Sequence, residues 1–188
     1  MKLKIAMIAI ILLIVSKITA QNVSVEKTIF GIQTGLLGIW VHNESRLSNE
    51  FVLRTELGFD GGYRYSDFYD LNYYVLAPVI TAEPRWYFNL EKRNKKGKNT
   101  TKNSANFVGL KLSFHPDWFT ISNEDNISIT NQISFIPKWG IKRTLGYHFT
   151  YEIGIGLGYE YYFYKNEGYP ENEGEIAVDL HVRIGYSF

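Results

Sequence analysis

The chain has 188 residues, no cysteine, and 20 Lys and Arg against 19 Asp and Glu. The absence of cysteine excludes a disulfide framework, a thiolate site and a lipid-anchored cysteine, and the near-neutral charge gives no reason to expect nucleic acid as a partner. The length suits one domain, and the aromatic content is high, with 14 Tyr, 12 Phe and 4 Trp.

The first 20 residues have the pattern of a secretory signal peptide. Lys2 and Lys4 precede an apolar run at residues 5–15, and Ala20 is a small residue suited to cleavage. The run is short for a membrane-spanning helix, which needs about 20 apolar residues, so a membrane anchor is the less favoured alternative. We predict a signal peptide at residues 1–20 and one mature domain at residues 21–188.

Most of the mature domain alternates apolar and polar residues, which is typical of strands with one apolar and one polar face. In chain order, strands are predicted at residues 28–40, 47–60, 73–88, 108–118, 127–139, 147–163 and 175–188. Segments rich in Gly, Asn, Asp or charge predict connections at residues 42–46, 60–72, 89–106, 123–126, 140–145 and 165–174.

The alternation is longest near the end of the chain. In residues 147–163, nine successive apolar positions recur at period two, which is more than the short strands of a small soluble core present. A bilayer could cover such a face, but lipid cannot satisfy open sheet edges. The pattern therefore indicates a closed barrel that crosses a membrane.

The last strand carries a further signal. It ends in Tyr186-Ser-Phe188, which resembles the carboxy-terminal signal of bacterial outer-membrane β-barrels. The mature chain as a whole resembles the small outer-membrane β-barrel proteins, the class of the OmpA membrane domain and OmpX. Residues 82–88 and 151–159 are also similar to an uncharacterised group of outer-membrane β-barrel domain proteins.

This resemblance implies a location in the outer membrane of a Gram-negative bacterium after cleavage of the signal peptide. It also implies contact with outer-membrane lipid, recognition of the C-terminal strand by the barrel-insertion machinery, and a monomer. No cofactor is implied.

The fold class that we predict is all-β, a transmembrane antiparallel up-and-down β-barrel with eight strands. Only seven strands are visible, and antiparallel closure of a bacterial barrel needs an even number. The eighth strand could come from residues 22–30 or from structure hidden in residues 89–106.

If Phe188 ends in the periplasm, several aromatic residues fall at the periplasmic ends of strands. Barrels place girdles of aromatic residues at the membrane interface. The predicted membrane-interface aromatics are Trp40, Trp86, Trp139, Tyr186 and Phe188.

The opposite face of the strands carries charges of both signs. The interior of an eight-stranded barrel is just wide enough for side chains to fill it, and buried charges need partners. We therefore predict a plugged polar lumen. Its network would be formed by Arg54, Glu56, Glu83, Arg85, Lys111, Glu152, Asp179 and Arg183.

Patterns for catalysis and metal binding are weak, and we expect neither an enzyme nor a metal site. Asp179 and His181 are spaced by about 6.7 Å along a strand, which predicts no direct pair, and His148 lies roughly 13 Å from Glu152. The sequence has no Gly-x-Ser-x-Gly and no His-Glu-x-x-His.

The predicted role is envelope structure or surface interaction. Three alternatives stay open: a narrow channel for small solutes, a lipid-modifying outer-membrane enzyme, and a soluble periplasmic lipocalin-like binder whose apolar faces would point inward. The basic run at residues 91–102 is either a solvated connection or a contact for anionic lipid headgroups or a periplasmic partner.

Overall fold

The computed structural model describes residues 23–36, 38–66 and 71–188, without the side chains of residues 63–66 and 71. The strands in this part of the chain form one antiparallel sheet. The sheet closes into a barrel because the strand at residues 51–66 pairs with the strand at residues 71–86. The all-β, up-and-down, eight-stranded barrel is confirmed. The predicted signal peptide at residues 1–20 lies outside the described residues.

Eight strands form the barrel wall, and each pairs with its neighbours in the wall. They are β1 Thr28–Gly35, β2 Gly38–Arg46, β3 Phe51–Ser66, β4 Leu71–Trp86, β5 Asn106–His115, β7 Gln132–Leu145, β8 Phe149–Tyr162 and β9 Glu173–Ser187. A two-residue strand, β6 at Ile121–Ser122, pairs with β4 beyond the end of β5. One short helix, α1 at Leu90–Lys95, lies in the connection between β4 and β5.

The antiparallel order gives the barrel two different ends. The terminal end carries Phe188, residues 23–27, the turns at 47–50 and 146–148, and the connection at 87–105. The loop end carries the turn between β1 and β2 and the connections at 116–131 and 163–172.

The apolar face of the strands points outward. On β9, the outward side chains of Ile176, Val178 and Leu180 are 75%, 62% and 70% exposed, whereas Arg183 on the opposite face is 4% exposed. The same arrangement recurs on the other strands of the wall, so the barrel has an apolar exterior and a charged interior.

The strand predicted at residues 28–40 is in fact two strands. β1 ends at Gly35 and β2 begins at Gly38, so a tight turn folds the segment back on itself. Gly38 has a φ of +144°, which glycine tolerates far better than other residues. The sequence Gly35-Leu-Leu-Gly38 has no Asn or Asp to signal a hairpin turn. This hairpin supplies the eighth strand, instead of a separate strand at 22–30 or in 89–106.

Substitution of Gly38 by alanine should destabilise the hairpin. A Cβ atom there would lie 2.4 Å from Trp40 Cζ2 and 2.5 Å from the Phe59 carbonyl oxygen, at a positive φ. We expect Gly38→Ala to lower the free energy of unfolding by about 1–3 kcal/mol, measured by urea titration. Gly62→Ala is the control, since its Cβ would meet only Val75 at 3.5 Å. Equal effects of the two changes would contradict the proposed strain.

Two predicted connections are wrong. Residues 42–46 belong to β2 and residues 140–145 to β7, and the turns lie just beyond them, at 47–50 and 146–148. A third, residues 60–72, is mostly strand, because β3 extends to residue 66 and β4 begins at residue 71. Alternate polar residues of the first two segments, such as Glu44 and Lys142, point into the barrel, so the composition resembled that of a connection.

The strands that close the barrel differ greatly in length. β1 and β2 have 8 and 9 residues, while β3 and β4 each have 16. The first and last strands of the chain, β1 and β9, pair only through residues 31–35 and 183–187; we call this contact the seam. By contrast, β8 and β9 pair along nearly their whole length. The seam is therefore one of the two shortest ladders in the wall; β4 and β5 also pair at only five positions.

Candidate functional site: a charged network inside the barrel

The structure brings the eight predicted lumen residues together inside the barrel. They lie on β3, β4, β5, β8 and β9, at alternate positions whose side chains face inward. Seven are buried, and the side chain of the eighth, Asp179, is 11% exposed.

Glu152 on β8 is the centre of the network. Its Oε1 accepts hydrogen bonds from Arg54 Nη1 at 3.3 Å and Gln33 Nε2 at 3.1 Å. Its Oε2 accepts one from Arg85 Nη1 at 3.0 Å. The carboxylate is fully buried, so these charge-assisted hydrogen bonds replace its lost hydration.

Each arginine at this centre also binds a glutamate on its own strand. Arg54 Nε donates to Glu56, and Arg85 donates to both carboxylate oxygens of Glu83 at 2.9 and 3.1 Å. Residues two apart on a strand point to the same face. This spacing therefore gives each buried guanidinium a carboxylate partner beside it.

Arg183 joins the network from β9. Its Nη1 donates to Oε1 and Oε2 of Glu56 at 2.9 and 3.0 Å. Its guanidinium also lies 3.9 Å above the ring of Trp40, a cation–π arrangement. Arg183 thereby connects the last strand to the β2–β3 side of the barrel.

A second charged group lies nearer the loop end. Asp179 on β9 accepts from Lys111 Nζ at 3.3 Å and from Lys138 Nζ at 2.9 Å. Beside it, Asp60 Oδ2 is 3.0 Å from His115 Nε2. These pairs continue the alternation of positive and negative charge along the interior.

Sequence reasoning missed Glu44 and Lys142, both of which are fully buried. Glu44 Oε1 accepts from Arg54 Nη1 at 3.0 Å and from Lys142 Nζ at 2.8 Å, and Tyr87 donates to the same carboxylate. Both residues fell in segments predicted to be connections. For Lys142, the outward apolar residues Trp139 and Ile141 were the signal that could have placed it inside; for Glu44, the polar residues Asn43 and Ser45 on the other face left no such signal.

A small hydrophobic cluster lies beyond Glu44 at the terminal end. It consists of Val25, Val52, Tyr87, Leu90, Ala105 and Phe107, all at most 1% exposed. Asn103 lies next to it, and its Nδ2 donates to Glu44 Oε2 at 2.8 Å. The cluster joins α1 and the N-terminal segment to inward-facing residues of the wall.

Four of the five predicted interface aromatics lie on the outside of the barrel, but Trp139 is not at a strand end: β7 continues to Leu145, and Trp139 pairs with Ile155 in the middle of the wall. Trp86 and Trp139 are each 42% exposed, and Phe188 is 68% exposed. Tyr186 is half-buried and packs edge-on against Phe149 with ring centroids 5.5 Å apart.

The prediction for Trp40 is wrong. Trp40 is 5% exposed and faces the interior, where its Nε1 donates to Asp60 Oδ1 at 2.6 Å. The hairpin at Gly38 reverses the chain just before Trp40, so this residue lies close to the β1–β2 turn at the loop end and not at the terminal end.

The expectation that Asp179 and His181 make no direct pair is also wrong. His181 Nδ1 lies 3.4 Å from Asp179 Oδ2. The strand spacing of two residues separates their Cα atoms, but the side chains share a face and can lean toward each other. His148 forms no such pair with Glu152; its ring stacks on Tyr186 at a centroid distance of 4.9 Å.

Comparison of the chain with family models, with curated proteins and with solved structures found no match. Of the residues that the structure describes, no helix is long and apolar enough to cross a membrane. No group of three or more His, Asp or Glu within the same described ranges could hold a metal ion.

Proposed function

We propose that this protein is an integral β-barrel of the outer membrane of a Gram-negative bacterium, with a lumen plugged by its own side chains. Its role would be in envelope structure or surface interaction. The observation that carries the proposal is the apolar exterior of a closed sheet whose interior holds paired charges.

The distribution of polarity supports a membrane over water as the surrounding solvent. Ile155, Leu157 and Leu180 are 54%, 63% and 70% exposed, and similar residues surround them on the wall. Contiguous apolar surface of this kind is rare on soluble monomers. A soluble lipocalin-like binder would have the opposite arrangement, with an apolar interior.

Closure of the sheet supports the same conclusion. Lipid offers no hydrogen-bond partners, so a spanning sheet must satisfy its backbone groups by pairing strands around a barrel. The outward aromatics Trp86 and Phe188 lie at the terminal end, where an interfacial girdle would be expected. In this orientation the terminal end faces the periplasm.

The interior supports a plugged lumen over a channel. Glu152, Arg54 and Arg85 are fully buried, and the Glu152 carboxylate binds both arginines across the barrel. The hydrophobic cluster around Leu90 and Phe107 lies at the terminal end of the same interior. Water and ions would have to displace both the ion pairs and the cluster to pass.

The membrane proposal is tested first by extraction and gel mobility. We expect the protein to resist carbonate and urea washing of membranes, and to migrate differently before and after boiling. Release by the wash together with unchanged mobility would overturn the membrane proposal in favour of a soluble binder.

The plugged lumen is tested by electrical recording of the purified protein in a planar bilayer. We expect no stable single-channel conductance above the background of the bare bilayer. Reproducible conductance steps from the wild-type protein would overturn the plug and favour the narrow channel.

A further inference from the structure

The two ends of the barrel differ strongly in charge. At the terminal end, residues 23–27, 46–50, 87–105 and 143–148 carry nine Lys and Arg against three Asp and Glu. At the loop end, the connections at 116–131 and 163–172 carry one Lys against five Asp and Glu. The terminal end is therefore suited to an anionic surface.

Arg93 and Arg143, both at the terminal end, lack an acidic partner within the described ranges. Arg143 donates to the Lys142 carbonyl at 2.7 Å and to Asn106 Oδ1 at 2.6 Å. Arg93 donates to the carbonyls of Ser104 and Asn99 at 2.7 and 3.0 Å. All four acceptors are neutral. The two arginines are neighbours, because Arg93 binds the carbonyl of Ser104 and the Oγ of Ser104 accepts from the amide of Thr144 at 3.3 Å, so their positive charges repel. An anion at this place would relieve the repulsion.

An apolar groove runs along the outer wall next to Arg143. It has a volume of about 440 Å³ and crosses β1, β7, β8 and β9, with a lining that includes Ile32, Leu145, Phe149, Tyr151, Ile184 and Tyr186. Tyr151 pairs directly with Arg143 across the β7–β8 ladder. The groove and the arginine pair are thus neighbouring parts of one surface.

We propose that this surface binds one anionic phospholipid, with an acyl chain in the groove and the phosphate at Arg93 and Arg143. Arginine matches the geometry of a phosphate with parallel hydrogen bonds, and the apolar groove beside it matches an acyl chain. The inference rests on the proposed function. Since the terminal end faces the periplasm in that proposal, the lipid belongs to the periplasmic leaflet.

The test uses the full mature chain refolded into vesicles of phosphatidylcholine that contain a minority of phosphatidylglycerol. Insertion is measured first, by the heat-dependent gel shift, in vesicles of phosphatidylcholine alone. Bound lipid is then counted by native mass spectrometry after detergent extraction. We expect one phosphatidylglycerol to be retained in preference to phosphatidylcholine.

Variants locate the site. Removing both guanidinium charges with Arg93→Gln and Arg143→Gln should lower the retention of phosphatidylglycerol roughly tenfold. Lys98→Gln removes a charge from the same connection outside the arginine pair, and should lower retention much less than the double variant does. Thr34→Trp would fill the groove, which Thr34 also lines, without altering charge, and should reduce retention as well.

The outcomes separate the two proposals. Failure to insert into any vesicle would overturn the membrane function itself. Normal insertion with equal retention by wild type and the double variant would overturn the lipid site and leave the membrane function standing. An equal loss in Lys98→Gln would show that only the diffuse charge of the terminal end matters, and would also overturn the site.

Discussion

Replacement of Glu152 by glutamine is expected to lower the free energy of unfolding by about 3–5 kcal/mol, because breaking a buried ion pair leaves its partners uncompensated. Glutamine keeps the shape of the side chain, so the change removes charge and little packing. Arg54 and Arg85 would both lose their shared carboxylate in the buried interior. Urea titration of the folded protein, followed by the gel shift, measures the effect.

The matched control is Glu91→Gln at the surface. Glu91 pairs with Lys95 at 2.6 Å, but the two side chains are 43% and 73% exposed. Exposed pairs of this kind contribute about 0–1 kcal/mol. If Glu152→Gln were as mild as Glu91→Gln, the interior network would not contribute measurably to the stability of the barrel.

Arginine at Ile155 is expected to impair insertion and to lower stability by about 2–4 kcal/mol, the range for a cation on the lipid face near the midplane. Ile155 points outward, is 54% exposed, and lies opposite Leu180 and Trp139 on its two neighbouring strands. Arginine at Leu180 or at Leu53 should act in the same direction. The fraction of protein that folds into vesicles, read from the gel shift, reports the effect.

Tyr169→Arg provides the comparison for this prediction. Tyr169 is 58% exposed but lies in the connection between β8 and β9 at the loop end, where a charge meets water. Insertion of this variant should match the wild type. Equal insertion of Ile155→Arg and the wild type would show that the apolar exterior does not face lipid.

The period-two alternation was sufficient to predict the barrel and most of its interior. Arg54, Glu56, Glu83 and Arg85 lie on long strands whose polar and apolar faces are well separated, so the face of each residue could be read directly. Which residues bind across the barrel could not be read, because strand register depends on pairing between distant segments.

The main error arose from a single turn. Gly35-Leu-Leu-Gly38 is apolar in the middle, so no polar turn residue marked the hairpin; the two adjacent leucines only interrupt the alternation of the segment. Without that turn, the strand count was odd and Trp40 was placed at the wrong end. The positive φ of Gly38 is a property of the backbone that one glycine in a sequence does not reveal.

The other errors concern polar strand ends. In residues 42–46 and 140–145, every second residue faces the charged interior and is polar or glycine, and polar residues also occur on the outward face near the strand ends; the same composition is typical of turns. In a barrel with an apolar interior these inward positions would have been apolar and easily recognised. Because this barrel has a charged interior and an apolar exterior, Glu44 and Lys142 were not recognised as interior residues.

The short seam between β1 and β9 has a consequence for how the barrel is completed. Its pairing joins segments separated by about 150 residues, so the entropy of closing a long loop opposes it, and contacts of this range form slowly. Gln33 on β1 accepts from Arg54 at 2.6 Å and donates to Glu152 at 3.1 Å, which ties the seam from inside to β3 on one side and to β8 on the other. Full dehydration of these charges requires the closed cylinder, so completion of the seam and assembly of the network are one cooperative event.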